Sequence, residues 1–242
     1  MGNMRANLRS GGLCGTMVMK KLGMEHMNLD HKVYQQMKSM ILDEKLKPGV
    51  KIYQEQLAED LGISRTPLVN ALKKLEQEHL ITAIPRRGFY VSHFSREEMI
   101  NIFELREVLE GLAARRAAIR IKDNQIQKLQ GYFKGVSVSD DAESIWKYAQ
   151  EDRRFHHFLI TIGGDDLLSG ILDTYSVITS SYLVGSRGGL VRPPGETISE
   201  HLAIIAAITK RDPEMAEQAV RLHFKRSREK LIEVFEEESQ ND

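Results

Sequence analysis

A short turn between two helical segments is the feature that most restricts how this chain can fold. The stretch from Gln54 to Leu61 is expected to be helical, and Gly62 and Ile63 then allow a tight turn. Ser64 suits the N-cap of the next helix, because its hydroxyl can accept from a free backbone N–H. Pro67 falls in the first turn of that helix, where a missing amide hydrogen costs little. The pattern predicts a helix-turn-helix.

The segments on either side of this pair extend it to a winged helix-turn-helix. An amphipathic helix is expected from Asp30 to Leu46, and Pro48 and Gly49 end it. After Leu80 the pattern becomes a short strand, a turn over Pro85–Gly88 and a second strand. Such a two-stranded hairpin after a helix-turn-helix is a wing.

Everything after the wing has helical periodicity. Ser95 and Glu98 form a capping-box pattern, so a new helix is expected there and the domain boundary at His93 and Phe94. Six antiparallel helices make a plausible bundle. They are expected at Ser95–Arg120, Asn124–Gly135, Ala142–Ile162, Asp166–Val184, Glu196–Lys210 and Pro213–Glu236.

The predicted fold is therefore mainly α, with an N-terminal winged helix-turn-helix over residues 28–93 and an all-helical bundle over residues 95–237. Residues 1–27 are interpreted as a flexible extension, with a basic arm touching DNA as the alternative. A chain of 242 residues can supply a core for both domains.

Composition excludes several classes of protein. No stretch reaches the roughly 18 consecutive apolar residues of a membrane helix, so we expect a cytoplasmic protein without a membrane partner. The single cysteine, Cys14, has no partner for a disulfide or a thiolate metal site. With 34 basic and 34 acidic residues the chain is neutral, so any surface that binds nucleic acid has to be local.

The second helix of the helix-turn-helix carries the residues expected to read DNA. Leu68, Leu72 and Leu75 follow the inward period, which leaves polar residues on the outer face. Arginine can pair with guanine and asparagine with adenine in the major groove. An ordinary helical hairpin with a solvated face is the alternative, and the wing favours DNA. The outward residues are Arg65, Thr66, Val69, Asn70 and Lys73.

The tip of the predicted wing is basic. Arg86 and Arg87 lie where a wing would meet phosphates or the minor groove. Gly88 follows them and permits a close approach of the backbone. These three residues complete the predicted DNA-binding set.

A known family is recognisable in this half of the chain. The resemblance spans about Asp30 to Ser92 and is most specific over Ser64–Pro67. It is to the GntR family of winged-helix regulators, and it implies that Arg65, Thr66 and Gly88 contact the operator. The residues that carry it are the run Leu57–Leu68, then Ala71, Leu72, Leu75, Glu76, Arg87 and Gly88.

The chain departs from that family pattern at two places. The family has an Arg-Glu pair where this chain has Val69 and Asn70, so one standard DNA contact is replaced. Val69 can contact a thymine methyl but cannot donate to guanine. Glycine is usual where this chain has His79, which makes the C-cap of the recognition helix less favourable.

Three histidines and an aspartate recur on otherwise apolar helix faces of the second domain. Asp152 and His156 are four residues apart on one predicted helix, and His201 and His223 lie on two others. A lone histidine is more often a core residue than a ligand. Together, three imidazoles and a carboxylate suit zinc, nickel or another divalent ion. His157 is rotated off this face and is interpreted as a surface group or one that supports a ligand.

The same four residues match the pattern of the FCD-type ligand domain in the FadR branch of the family, which this chain resembles from about Ser95 to Phe235. Six helices rather than seven resemble the VanR-type subdivision. The resemblance implies an effector pocket beside the metal. Arg106 matches a pocket position and could clamp an organic acid; a helix-surface salt bridge with Glu110 is the alternative.

These patterns predict a homodimeric transcriptional regulator that binds palindromic operator DNA. A divalent metal would organise the pocket, and a small carboxylate effector would change the placement of the two DNA-binding domains. A sensor with the ion itself as effector is one alternative. A metal-dependent hydrolase is another, but the sequence shows no general acid or base beside the four residues, and it leaves the winged helix unexplained. No enzyme activity is expected.

Overall fold

The computed structural model describes residues 24–42, 45–187 and 190–241. The expected extension up to residue 23, with Cys14, lies outside the described residues. The sequence also places residues 24–27 in the extension, but in the structure they begin the first helix. The N-terminal elements are α1 (Met24–Leu42), β1 (Lys51–Ile52), α2 (Gln54–Asp60), α3 (Arg65–Gln77), β2 (Ile81–Ile84) and β3 (Gly88–Val91).

The helix-turn-helix forms where the sequence predicts it. Gly62 has a φ of +63°, a left-handed conformation that a glycine adopts without strain, and it turns the chain from α2 to α3. The Ile63 amide closes this turn by donating to the carbonyl of Ala58 at 3.0 Å. Ser64 occupies the N-cap of α3, but its side chain makes no capping hydrogen bond. Packing of the apolar face therefore fixes this helix more than capping does.

A third strand joins the wing. The predicted hairpin pairs β2 with β3, and β1 adds to the other edge of β3, so the order is β1-β3-β2. Lys51 opposes Tyr90 and Ile52 opposes Phe89. A strand of two residues is too short to show an alternating pattern, which is why the sequence did not reveal it. The base of the wing is thereby tied to the chain between α1 and α2.

His79 ends the recognition helix in a strained conformation. Its φ is +58°, and its amide and that of Leu80 donate back to the carbonyls of Glu76 and Leu75, both at 2.9 Å. A left-handed residue with a Cβ is disfavoured by roughly 1–2 kcal/mol. This geometry explains why glycine is usual at this position in the family.

We expect His79→Gly to raise the free energy of unfolding by about 1 kcal/mol, because glycine relieves the left-handed strain. The greater conformational entropy of glycine in the unfolded chain offsets part of this stabilisation. Urea titration of the purified variant measures this change. His79→Ala is the control, since alanine removes the same ring but keeps the Cβ. Equal stability of the glycine and alanine variants would contradict the assignment of strain.

Six helices follow in the described C-terminal part, as expected. Ser95 and Glu98 form the predicted capping box at the start of the first of them, with Glu98 N to Ser95 Oγ at 3.2 Å. The helices are α4 (Arg96–Arg120), α5 (Asp123–Leu129), α6 (Ala142–Gly163), α7 (Asp166–Arg187), α8 (Pro194–Thr209) and α9 (Pro213–Asn241). Their order and number confirm the predicted mainly α architecture.

The second predicted helix of this bundle is shorter than expected. Helix α5 ends at Leu129 instead of Gly135, because Phe133 takes a φ of +61° and Gly135 one of +73°, which no α-helix accommodates. The turn that replaces the last helical residues places the Phe133 ring against His201, with 4.6 Å between centroids and 7° between planes. Because Phe133 leaves the helical conformation, its ring packs against one side of the candidate ligand His201.

Helix α4 is the centre of the bundle and packs mainly against α9 and α6. It crosses α6 so closely that a Cβ on Gly163 would lie 1.8 Å from the carbonyl oxygen of Ala113. This backbone contact fixes the depth of α6, which carries two of the candidate ligands. None of the described helices is both long enough and apolar enough to cross a membrane.

The hydrophobic core continues from the winged domain into the bundle. Helix α1 contacts α7, and Ile178 and Tyr182 of α7 border a small apolar space together with Ile41, Leu80 and Val91 of the winged domain. Ile178 and these three partners belong to one buried cluster. The expected boundary at His93 and Phe94 therefore separates two units that share packing.

Candidate functional site

The outer face of α3 presents the residues expected to read DNA. Arg65, Thr66 and Lys73 are exposed, and Val69 is partly exposed. The Arg65 guanidinium lies 3.5 Å from a carboxylate oxygen of Glu55 on the preceding helix, with 62% of the side chain exposed. An ion pair that is so exposed to solvent costs little free energy to break. Arg65 can therefore exchange Glu55 for another partner at little cost.

Asn70 has a partner within the winged domain. Its Nδ2 donates to Asp30 Oδ2 of α1 at 2.8 Å. A carboxamide has a second N–H and an acceptor oxygen, so Asn70 can hold Asp30 and still present polar atoms outward. The bond orients the side chain relative to α1.

The wing turn is shaped by Pro85 and two left-handed residues. The Arg87 amide donates to the Ile84 carbonyl at 2.9 Å, with Pro85 and Arg86 between them and an Arg86 φ of +63°. Gly88 has a φ of +98°. The backbone angle, and not the space around it, requires glycine there, since an added Cβ would meet only Lys51 at 3.8 Å. Arg86 and Arg87 are both exposed at the tip.

Asp152, His156, His201 and His223 come together in the middle of the bundle. One ligand atom from each lies within 4.8 Å of those of the others. Helix α6 supplies the first two, α8 the third and α9 the fourth. The three imidazoles are buried, and Asp152 is partly exposed. The sequence prediction that three helices converge at these residues agrees with this geometry.

Each imidazole of this cluster uses its Nδ1 for a partner on the outer side. Such bonds fix ring orientation and tautomer and are typical of histidines that bind metal through Nε2. The pairs are His156 with Glu110 Oε2 at 2.7 Å, His201 with the Tyr148 hydroxyl at 2.9 Å, and His223 with Glu200 Oε2 at 2.8 Å.

The inner nitrogens lack such partners. In the described part of the chain, Nε2 of His156 and Nε2 of His201 are buried without a hydrogen bond. They lie 3.8 and 3.0 Å from Asp152 Oδ1. Two ligands bound to one ion at about 2.1 Å and a right angle are about 3 Å apart, so these separations fit a shared ion. Buried polar atoms without partners are costly, which is a reason to expect one.

The electrostatics of the cluster favour the forms that bind metal. Burial lowers the pKa of His223 to about 3 and also lowers that of His201, so both are neutral near pH 7. Burial would raise the pKa of the Asp152 carboxyl, but the three imidazoles hold it below its usual range. Metal ions require neutral imidazole and ionised carboxylate.

His156 behaves differently from the other two. Burial lowers its pKa, but Glu110 and Asp152 more than offset burial, so the pKa lies above its ordinary value. A proton therefore competes with a metal ion mainly at this histidine. Glu110 also bonds to Arg106, so a series of charged side chains connects the cavity that Arg106 borders to the cluster.

A cavity of about 60 Å³ adjoins the cluster, bordered by Asp152, His156 and His223. By the volume that one water needs, it holds about four waters or a small organic ligand. Its other walls include Arg106, Arg192 and three hydroxyl side chains of α7, those of Ser176, Thr179 and Ser180.

Arg106 forms the ion pair with Glu110 that the sequence offered as the alternative to an effector contact. Its Nε and Nη2 bond to Glu110 Oε1 at 2.8 and 2.7 Å. The pair is buried rather than on the helix surface, and the guanidinium lies 4.6 Å from the centre of the Phe224 ring. It also borders the cavity. The pair with Glu110 uses Nε and Nη2, which leaves Nη1 to donate to a ligand.

Sequence reasoning missed the outer partners Glu110, Tyr148 and Glu200 as parts of the site. It also missed Arg192, which is buried and bonds to Glu200 at 3.0 and 2.5 Å. Tyr148 precedes Asp152 by four residues, a spacing that could have found it. No local pattern marks Arg192, which stands in a turn before two prolines. His157 is exposed and lies 3.0 Å from Asp173, as expected for a surface group.

Comparison with known proteins identifies the class to which this fold and site belong. Residues 29–91 match the family described as bacterial regulatory proteins, gntR family, and residues 101–226 match the FCD domain. The FCD match spans about half of the chain, so the chain belongs to the FCD family, and it carries a GntR-family helix-turn-helix domain in front of the FCD domain. It is a DNA-binding transcriptional regulator.

Two relatives span nearly the whole chain. The HTH-type transcriptional regulator YdhC of Bacillus subtilis is 28% identical over 214 residues, which cover 86% of this chain and 93% of the relative. The HTH-type transcriptional repressor RspR of Escherichia coli is 25% identical and covers 87% and 92%.

Solved structures agree on the fold. Escherichia coli McbR/YncC has a TM-score of 0.66 at 20% identity and covers 86% of this chain and 98% of its own. A GntR transcriptional regulator from Rhodococcus sp. RHA1 has a TM-score of 0.68 at 15% identity and covers 85% and 98%. The common architecture is a winged helix-turn-helix followed by a helical domain.

Proposed function

We propose that this regulator binds a divalent metal through Asp152, His156, His201 and His223, and that a small carboxylate beside the metal controls its affinity for operator DNA. The observation that carries the proposal is the arrangement of the three imidazoles. Each is anchored through Nδ1, and two buried Nε2 atoms face Asp152 without hydrogen bonds.

Zinc and nickel are the ions that this donor set suits best. Four protein ligands leave one or two positions for water or for a carboxylate. When bound, the ion supplies a positive charge at the cavity wall that attracts an anion. Arg106 would orient that anion through its Nη1, and hydroxyls of α7 would accept or donate hydrogen bonds to it.

The DNA-binding residues proposed are those exposed on α3 and at the wing tip. Arg65 would read a guanine and Asn70 an adenine, while the wing would contact phosphates or the minor groove. A homodimer on a palindromic operator is proposed because two copies of one helix-turn-helix match two half-sites related by a two-fold axis. The residues proposed for operator contact are Arg65, Thr66, Asn70, Lys73, Arg86, Arg87 and Gly88.

A second candidate is a sensor for which the metal ion itself is the effector. The observation in its favour is the small size of the cavity, about 60 Å³, beside a set of ligands that can hold an ion alone. The two candidates differ in whether an organic ligand adds to the effect of the ion.

One titration separates these candidates. Operator duplex selected from random DNA is titrated with metal-free protein, zinc-loaded protein, and zinc-loaded protein with each of a panel of small carboxylic acids. Under the proposal a carboxylate changes the affinity of the zinc-loaded protein by roughly 5- to 150-fold and acts only weakly on the metal-free protein. An effect of zinc alone, which no acid modifies, would favour the metal sensor. No zinc binding at all would contradict both candidates.

The wing gives a prediction of its own. Replacing Arg86 and Arg87 by Ala should weaken binding to all duplexes by a similar factor, because phosphate contacts carry little sequence information. Losing two such contacts should also reduce the slope of log affinity against log salt by about 2. Binding is measured at several salt concentrations on operator and on random DNA. Lys225→Ala, an exposed cation on α9, is the control. An unchanged slope in the wing variant would remove the wing from the interface.

A further inference from the structure

Helix α7 touches both the cavity and the DNA-binding domain. Ser176, Thr179, Ser180 and Leu183 border the cavity beside the candidate metal ligands. Three of these side chains are nearly inaccessible to solvent, at 3% for Thr179, 6% for Ser180 and 3% for Leu183. A ligand that fills the cavity therefore presses on this face of α7.

A different face of the same helix meets the winged domain. Ile178 and Tyr182 border the small apolar space shared with Ile41, Leu80 and Val91. Nearer the start of α7, Ile171, Thr174 and Tyr175 line a crevice with the end of the recognition helix. At 100° per residue these positions fall on a stripe that lies about a third of a turn from the cavity face.

The far side of that crevice is formed by Gln77, Glu78 and His79. These residues end α3, and His79 holds the strained left-handed position already described. Glu78 in turn accepts from the Tyr34 hydroxyl at 2.7 Å and from Lys38 at 3.1 Å, both on α1. The end of the recognition helix is thus tied to α1 and borders α7.

From these contacts we infer that α7 transmits the effect of a ligand bound in the cavity to the recognition helix. Helix α7 packs directly on α1, and a packed helix moves as a unit, so a displacement of its cavity face also moves the face that borders Ile41, Leu80 and Val91. The two sites are then coupled through one rigid element with contacts on both sides. This inference rests on the proposed function only in taking the cavity as the effector pocket.

A cycle of substitutions tests the coupling without an identified effector. Ser180→Met places a longer apolar side chain into the cavity from α7 and imitates an occupied pocket. Ile178→Ala removes the buried side chain by which this face of α7 joins the apolar cluster of the winged domain. Leu172→Ala is the matched control, because Leu172 is fully buried on the same helix but packs against Ala113, Ile160 and Leu168 within the bundle. Operator affinity is measured for each single variant and for Ser180→Met combined with each of the others.

We expect Ser180→Met to change the dissociation constant for the selected operator by about tenfold. The change should persist in the Leu172→Ala background and fall below about twofold in the Ile178→Ala background. A tenfold change that survives Ile178→Ala would overturn the inference, and so would a folded Ser180→Met protein with parental affinity. Where circular dichroism shows that Ile178→Ala does not fold, Ile178→Val takes its place. With that variant a partial reduction supports the inference and an unreduced change overturns it.

Zinc content of the same proteins keeps this inference separate from the proposed function. A parent that binds no zinc contradicts the metal centre, and the substitution cycle still reports whether α7 couples the cavity to the operator. Conversely, the parent can bind zinc while the effect of Ser180→Met on operator affinity is independent of Ile178. That result supports the metal centre and contradicts coupling through α7.

Discussion

His223→Ala protein should bind zinc at least a hundredfold more weakly than the parent, and His201→Ala should behave in the same way. Each substitution removes one of four ligands, and the remaining three do not enclose the ion. Competition with a chromophoric chelator measures the affinity, and metal analysis of the purified proteins gives the occupancy. A change in an outer partner, such as Glu200→Gln, should reduce zinc affinity by only about tenfold to hundredfold.

His157→Ala is the control for this experiment, since His157 is exposed one residue from a candidate ligand and pairs with Asp173. Its zinc affinity should equal that of the parent. Basal operator binding should persist in the His201 and His223 variants, while the response to a carboxylate should disappear. Full zinc content together with a normal response in these variants would show that the cluster is only a polar core.

Arg65→Ala should lose about 1–3 kcal/mol of specific operator binding, which is roughly 5- to 150-fold in affinity. The side chain stands at the start of the recognition helix, and its pairing with Glu55 is open to solvent. Folding and zinc binding should be unchanged, because the Arg65 side chain is exposed and its ion pair is with Glu55 of the winged domain. Salt-matched titrations on operator and on random duplex give the change in specificity.

Arg154→Ala provides the matched control, because Arg154 is 70% exposed on α6 and far along the chain from the recognition helix. Its operator affinity should remain parental. The two groups of variants should show opposite patterns: Arg65→Ala loses DNA binding and keeps zinc, whereas His223→Ala loses zinc and keeps DNA binding. Parental operator affinity in Arg65→Ala would show that the assignment of the recognition helix is wrong.

Much of this fold was predictable because its signals are local. The turn at Gly62, the capping box at Ser95 and the spacing of Asp152 and His156 each depend on residues close together in the chain. The apolar periodicity of their helices also predicted that His201 and His223 point toward the interior of the bundle. Amphipathic periodicity thus predicted which side chains meet, although not their distances.

The missed features depend on contacts between distant segments. Strand β1 has two residues and exists only because β3 offers an edge to pair with. Phe133 leaves the helical conformation so that its ring can stack on His201, some seventy positions away in the chain. Glu200 of α8 and Arg192 of the turn before it join the site because both contact His223 of α9. No periodic pattern within one segment contains such information.

The shared core around Ile178 has a consequence for how the protein unfolds. When two domains are packed through one buried cluster, neither can lose its structure without exposing apolar surface of the other. Heating should therefore melt the winged domain and the bundle in one cooperative transition. A molecule that binds only in the bundle stabilises the folded state as a whole, by an amount set by its concentration relative to its dissociation constant. The abundance of intact DNA-binding domains in a cell then depends on the supply of that molecule, even before any operator is bound.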